Sequence, residues 1–271
     1  MTSVDRPIVA EAPGVRITAR ARGAHLMSWT THGVDRLWMS PRSRVGQADA
    51  LRGGVPVLFP QFGTFGDLIK HGFARTTDWR PVRAESPPGR ASLAFQLTDS
   101  EGTRAIWPHP FRARLTISAS PTDLTMALTI DNQGPDAAPF TGGLHTYLAV
   151  ADPQARVSGL AGCPTWDGRS TAAPVFGGAL GDQVAALADQ DLVIGAAPQE
   201  VLLHDAVLGD LQITAEGFPN RVVWNPGPGH TLPDVAPGDE ARFVCVEPVA
   251  LAPILLDPGA TWEGTQRLKV L

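Results

Sequence analysis

Two cysteines among 271 residues, Cys163 and Cys245, are too few and too far apart for a disulfide framework or a cysteine zinc site. Both read as small hydrophobic side chains. No run of about 18 apolar residues occurs, so no segment is expected to cross a bilayer as a helix. The opening stretch MTSVDRPIVAEAPG lacks the basic and apolar regions of a secretory signal, and a cytoplasmic protein is expected. Positive charge is also scarce. With 22 Lys and Arg against 27 Asp and Glu, the net charge of −5 gives no general attraction to nucleic acid or to an anionic membrane. An anionic ligand therefore needs a local cationic site. None of the seven histidines is spaced from another at i, i+2 or i, i+4, and HxH and HExxH are absent, so no metal is expected. GxSxG, P-loop and strand-to-helix GxGxxG signatures are missing too.

Helical patterning is equally thin, because no stretch keeps an i, i+3, i+4, i+7 apolar stripe for three turns. What the chain has instead is alternation. Val15 and Ile17 alternate with polar neighbours, and Ala24, Leu26 and Trp29 follow a break at Gly23, which predicts a hairpin. Leu115, Ile117 and Ala119 alternate before a turn at Pro121 to Asp123, and Leu124, Met126, Leu128 and Ile130 alternate after it. Similar runs recur at SLAFQLT, VLLHDAVL, LQITAE, RVVWN, ARFVCVE and TQRLKVL. The 28 glycines and 25 prolines are spread along the chain, as tight turns between many short strands require. With 43% hydrophobic residues and no composition shift, the expectation is an all-β fold of at least a dozen strands: one large antiparallel β-sandwich over residues 1–271, with a concave face.

Three islands carry the candidate chemistry. In LRGGVPVLFPQFGTFGDLIKHGFARTTDW, glycines and prolines stiffen a path that presents Arg52, Gln61, His71 and Arg75, donors suited to an oxygen-rich ligand. The two guanidinium forks match phosphate geometry, although arginines often serve only to bind backbone carbonyls. In FTGGLHTYLAVAD, Gly142 and Gly143 precede His145 and Tyr147, which share one face of an extended strand. In FVCVEPV, Glu247 interrupts an apolar strand. A carboxylate in that setting is either satisfied by a structural partner or kept for proton transfer with a raised pKa.

Taken in order, the blocks RGGVPVLFPQFG, HGFAR, WPHPFRARL, GGLHTYLAV, VSGLAG followed by Asp167, VVWNPG and FVCVEP resemble the aldose 1-epimerase superfamily, specifically its glucose-6-phosphate 1-epimerase branch. They span the chain from about Gly14 to about Pro253. The resemblance implies a supersandwich of the galactose mutarotase type, no metal and no organic cofactor; a sugar or sugar phosphate is the expected partner, and a monomer is expected. It matches the catalytic histidine to His145 and the catalytic glutamate to Glu247. Arg52 and His71 match further site residues, Arg52 and Arg75 the phosphate-holding pair, and Gln61 a sugar-contacting position. The sugar-binding aspartate matches Asp191, with Asp182 and Asp189 as rivals. WDG at Trp166 to Gly168 departs from relatives that carry a lysine after the aspartate. The expected activity is mutarotation of an aldohexose 6-phosphate. The alternatives are an epimerase of unphosphorylated aldoses and a non-catalytic carbohydrate sensor.

Overall fold

The computed structural model describes residues 6–43, 50–85, 87–170 and 175–271. The alternation read in the sequence becomes three antiparallel sheets. Strands Ile8–Ala12, Val15–Arg20, His25–Thr31 and Val34–Asp35 form a four-stranded sheet, with the expected hairpin turning around Gly23. A nine-stranded sheet is centred on Thr261–Val270, Asp123–Asn132, Phe111–Ala119 and Ala91–Thr98, and runs out through Leu211–Glu216, Glu200–His204 and Arg156–Ser158. The third sheet orders Thr165–Asp167, Gln190–Ile194, Asn220–Asn225, Phe243–Leu256, Ala138–Leu144 and Val57–Leu58, and Tyr147–Ala149 also pairs with Phe243–Leu256. Among the described residues the one α-helix is Glu101–Ile106, capped by a reciprocal Ser100–Thr103 box. No helix among them is long and apolar enough to cross a membrane.

Period-2 side-chain placement decides which residues face the core. Leu115, Ile117, Leu124, Met126, Leu128 and Ile130 are all buried in one cluster that also takes Val15, Ile17 and Leu268. Full burial of a side chain of this size is worth about 1.5–3 kcal/mol, so this central layer dominates the fold's stability. The seven-stranded sheet is apolar on both faces. Val223, Val244 and Val246 point into the main core, whereas their neighbours Val222, Trp224, Cys245 and Glu247 point to the other side. That second face carries the candidate site.

The glycine pair before His145 has a packing explanation. A Cβ on Gly142 would stand 2.3 Å from the Leu58 carbonyl oxygen, and one on Gly143 would stand 2.5 Å from that of Pro248. Only hydrogen fits where this strand is squeezed between its two neighbours.

Candidate active site

Strand register assembles the site. Val222 pairs with Glu247, Trp224 with both Cys245 and Asp191, and Tyr147 with Cys245. Glu247, Trp224, Asp191 and His145 thereby converge on one cavity of about 250 Å³, which Arg52, Lys70, His71 and Arg75 close from the loops. That volume approaches the lower end of small-molecule pockets, about 300 Å³, and suits a single sugar ring.

His145 Nδ1 lies 3.2 Å from Glu247 Oε1, and both side chains are at least nine-tenths buried. The atoms are close but not aligned as a hydrogen bond. Burial holds both groups away from charge. It pushes His145 well below the usual histidine value, reinforced by His71, Arg52, Arg75 and Lys70, and it pushes Glu247 well above the usual carboxylate value, reinforced by Asp191. Burial therefore disfavours the charged form of each group. The imidazole is fixed by rings: Tyr147 lies flat against it at 4.6 Å and 6°, and Trp224 meets it edge-on at 5.8 Å and 88°.

His71 sits in a left-handed backbone conformation, φ 68°, rare for a side chain of its size. Its Nδ1 accepts the Gly63 N–H at 3.1 Å, which fixes the tautomer with hydrogen on Nε2. Burial, then Arg75, Lys70 and Arg52, lower its pKa to about 2, so it remains a neutral donor.

Arg52 is held at both sides of its fork. Nε donates to Asp234 Oδ2 at 3.0 Å and Nη1 to the Tyr147 hydroxyl at 2.9 Å. Burial opposes its charge, but Tyr147 and Asp234 outweigh that and keep its pKa above the ordinary arginine value. Arg75 donates from Nη2 to the Lys70 carbonyl at 2.9 Å, which ties the two cationic residues into one loop.

Of the three aspartates, Asp191 is the one on the cavity. Its carboxyl is pushed up, chiefly by burial, and Gly168 leaves it room, since a Cβ there would stand 2.4 Å from Oδ1. Asp189 is exposed and pairs with Arg169 at 3.3 Å, and Asp182 accepts the Gly159 N–H at 3.3 Å, off the cavity lining. Gln61 also departs from expectation. It does not line the cavity but is buried, with its amide spent on Gly63 O, Leu68 O and Leu68 N at 3.0–3.3 Å, bracing the loop that leads to Lys70 and His71. The sequence reading passed over Lys70 and Trp224. Lys70 was visible only as a cation between Gln61 and His71 in the same loop, and it restores a positive charge that WDG lacks.

His145, Cys245 and Glu247 offer ligand atoms within 4.8 Å of one another, the one such group among the described residues. Burial, then Glu247, push the Cys245 thiol well above its usual value. Elsewhere Ser158, His204 and Asp210 form a chain of 2.7 Å contacts with the residue types of a nucleophilic triad. Ser158 is buried outside the cavity, and the neighbouring Gly159 N–H is already given to Asp182, so the chain stitches strands together.

Three antiparallel sheets with a buried imidazole–carboxylate pair in one cavity fit a sugar-converting isomerase of the galactose mutarotase type. The chain belongs to the aldose 1-epimerase family, whose model matches residues 8–269. A protein of Cenchrus ciliaris provisionally named glucose-6-phosphate 1-epimerase is 34% identical over 256 residues, 89% of this chain and 77% of that one. One of the same provisional name from Salmonella typhimurium is 34% identical over 272 residues, 96% of this chain and 87% of that one. The crystal structure of YeaD from Salmonella typhimurium, provisionally described as a mutarotase, superposes with a TM-score of 0.86 at 31% identity, covering 97% of this chain and 90% of that one.

Proposed function

We propose that the enzyme interconverts the α and β anomers of an aldohexose 6-phosphate, glucose 6-phosphate above all, with His145 and Glu247 exchanging protons with the sugar. One observation carries this: the cavity that holds the 3.2 Å His145–Glu247 pair is also lined by three cations, Arg52, Lys70 and Arg75, in a protein of net negative charge. Ring opening removes the proton from the C1 hydroxyl and delivers one to the ring oxygen as the C1–O5 bond breaks. Glu247 is the base toward O1, and His145, carrying the pair's proton, is the acid toward O5. Rotation about C1–C2 and the reverse transfers close the other anomer. His71 donates its Nε2–H to a sugar oxygen, and Asp191 accepts from sugar hydroxyls. Arg52, Arg75 and Lys70 take the phosphate, with Gln61 shaping their loop from behind.

Phosphorylated sugars do not cross membranes unaided, which goes with a cytoplasmic location. Coupled polarimetry with α-glucose 6-phosphate and α-glucose tests the substrate. Catalysis well above the enzyme-free rate with the phosphorylated sugar, and much weaker catalysis with the free one, is expected. Equal efficiency on both would place the enzyme with epimerases of unphosphorylated aldoses, and no catalysis on either would leave a carbohydrate sensor.

A further inference from the structure

The site contains an electrostatic conflict. His145 has to carry a proton to protonate the ring oxygen, yet Arg52, Lys70 and Arg75 line the same cavity. Arg52 comes closest by a traceable path: its Nη1 donates to the Tyr147 hydroxyl at 2.9 Å, and that hydroxyl lies 3.5 Å from His145 Nε2. Such neighbours repel a charged imidazole. His71, with its ring 5.9 Å from that of His145, stays neutral and offers no relief.

The chemistry of the substrate supplies what the protein lacks. In an aldohexose 6-phosphate the phosphate hangs on C6, C6 is bonded to C5, and C5 carries the ring oxygen. The phosphate can never be far from the oxygen that His145 must protonate, so the cations that hold it have to sit near His145.

We propose that the substrate's phosphate is an activator as well as a handle: its negative charge cancels the field of Arg52, Lys70 and Arg75 and draws a proton onto His145 of the 3.2 Å His145–Glu247 pair. The proposal rests on the phosphosugar assignment above and adds a catalytic role for the phosphate itself. The charged and titratable groups around the pair fall into two sets. Arg52 with its partner Asp234, Lys70, Arg75 and His71 come from the loops, and Asp191, Cys245, Tyr147 and Glu247 come from the seven-stranded sheet. Arg52 reaches His145 through Tyr147 on the Nε2 side of the ring, whereas Glu247 faces Nδ1, so cancelling the Arg52 charge favours the imidazole over the carboxylate. A sugar without phosphate leaves the acid discharged, and its deficit falls on kcat as well as on KM.

The test separates the phosphate from the sugar. Anomerisation of α-glucose by the intact enzyme is followed polarimetrically with and without sodium phosphite, against an enzyme-free blank because oxyanions catalyse mutarotation themselves. Phosphite is expected to raise kcat on glucose about ten-fold or more, and Arg75→Gln is expected to abolish the activation. In parallel, ¹⁵N NMR of the His145 ring is expected to show a gain in protonation when phosphite is added. Absence of activation, or an unchanged His145 signal, in an enzyme that still strongly prefers glucose 6-phosphate overturns the proposal and leaves phosphate as an anchor only. Failure to accelerate glucose 6-phosphate at all overturns the phosphosugar assignment, and the proposal with it.

Discussion

His145 Nδ1 and Glu247 Oε1 stand 3.2 Å apart on the cavity lining, brought there by the pairing of Tyr147–Ala149 and Asn220–Asn225 with Phe243–Leu256. At that separation the two groups behave as one acid–base unit holding a single proton. Burial lowers the proton affinity of His145 and raises that of Glu247. Both shifts favour a pair that holds one proton. Activity is predicted to fall at low pH, where the pair gains a second proton, and at high pH, where it loses its only one. A pH profile of kcat/KM with glucose 6-phosphate checks this. A steep single loss centred near pH 6.5, the ordinary histidine value, would contradict it.

The cations should act on phosphorylated substrate selectively. Loss of a charge-assisted hydrogen bond costs about 1.5–3 kcal/mol, so Arg75→Gln is predicted to lower kcat/KM for glucose 6-phosphate by roughly ten- to a hundred-fold. The effect on glucose should be several times smaller. Lys70→Gln should shift selectivity the same way but by less, because Lys70 is exposed at the cavity mouth. Parallel initial-rate measurements on the two sugars decide the matter, and equal losses on both would exclude a phosphate-binding role.

Gly168 offers a way to move Asp191 without changing its chemistry. An added Cβ would lie 2.4 Å from Asp191 Oδ1, so Gly168→Ala forces the carboxylate aside. Misplacing a sugar-binding group by about 1 Å is predicted to cost roughly ten- to a hundred-fold in kcat/KM, while the melting temperature stays near wild type. Unchanged kinetics would show that Asp191 does not position the sugar.

Stability should carry its own pH signature. His25 is fully buried and donates from Nε2 to the Gly53 carbonyl at 2.9 Å, and burial lowers its pKa to about 4. Between about pH 6.5 and about pH 4 the unfolded chain binds the proton and the folded chain does not, so stability is lost as pH falls through that window. The loss should reach on the order of 3 kcal/mol by pH 4. Urea denaturation across that range is expected to show the slope in the wild type and a flatter one in His25→Gln. An identical slope in both would assign it to other groups.

Much of this architecture was legible because alternation is a property of neighbours in sequence. Leu115, Ile117, Leu124 and Met126 announced their strands, and Glu247 stood out as a carboxylate inside an apolar run. The residues that stayed hidden depend on contacts between distant segments. Asp234 reaches Arg52, and Tyr147 bridges Arg52 to His145, through folding alone. The choice of Asp191 over Asp182 and Asp189 required sheet register, which places Asp191 opposite Trp224. Gly142 and Gly143 answer to backbone crowding from Leu58 and Pro248, contacts between segments distant in sequence. Gln61 was a sugar-contacting candidate by resemblance, yet its amide is consumed by its own loop.

The most direct measurement is the anomerisation rate of glucose 6-phosphate by wild type, His145→Asn, Glu247→Gln and the double variant, each verified as folded by circular dichroism. Each single change is predicted to depress kcat by about 10²- to 10⁴-fold, and the double variant should be little worse than the poorer single one, because the pair works as a unit. Wild-type turnover in either single variant would show that proton transfer takes place elsewhere.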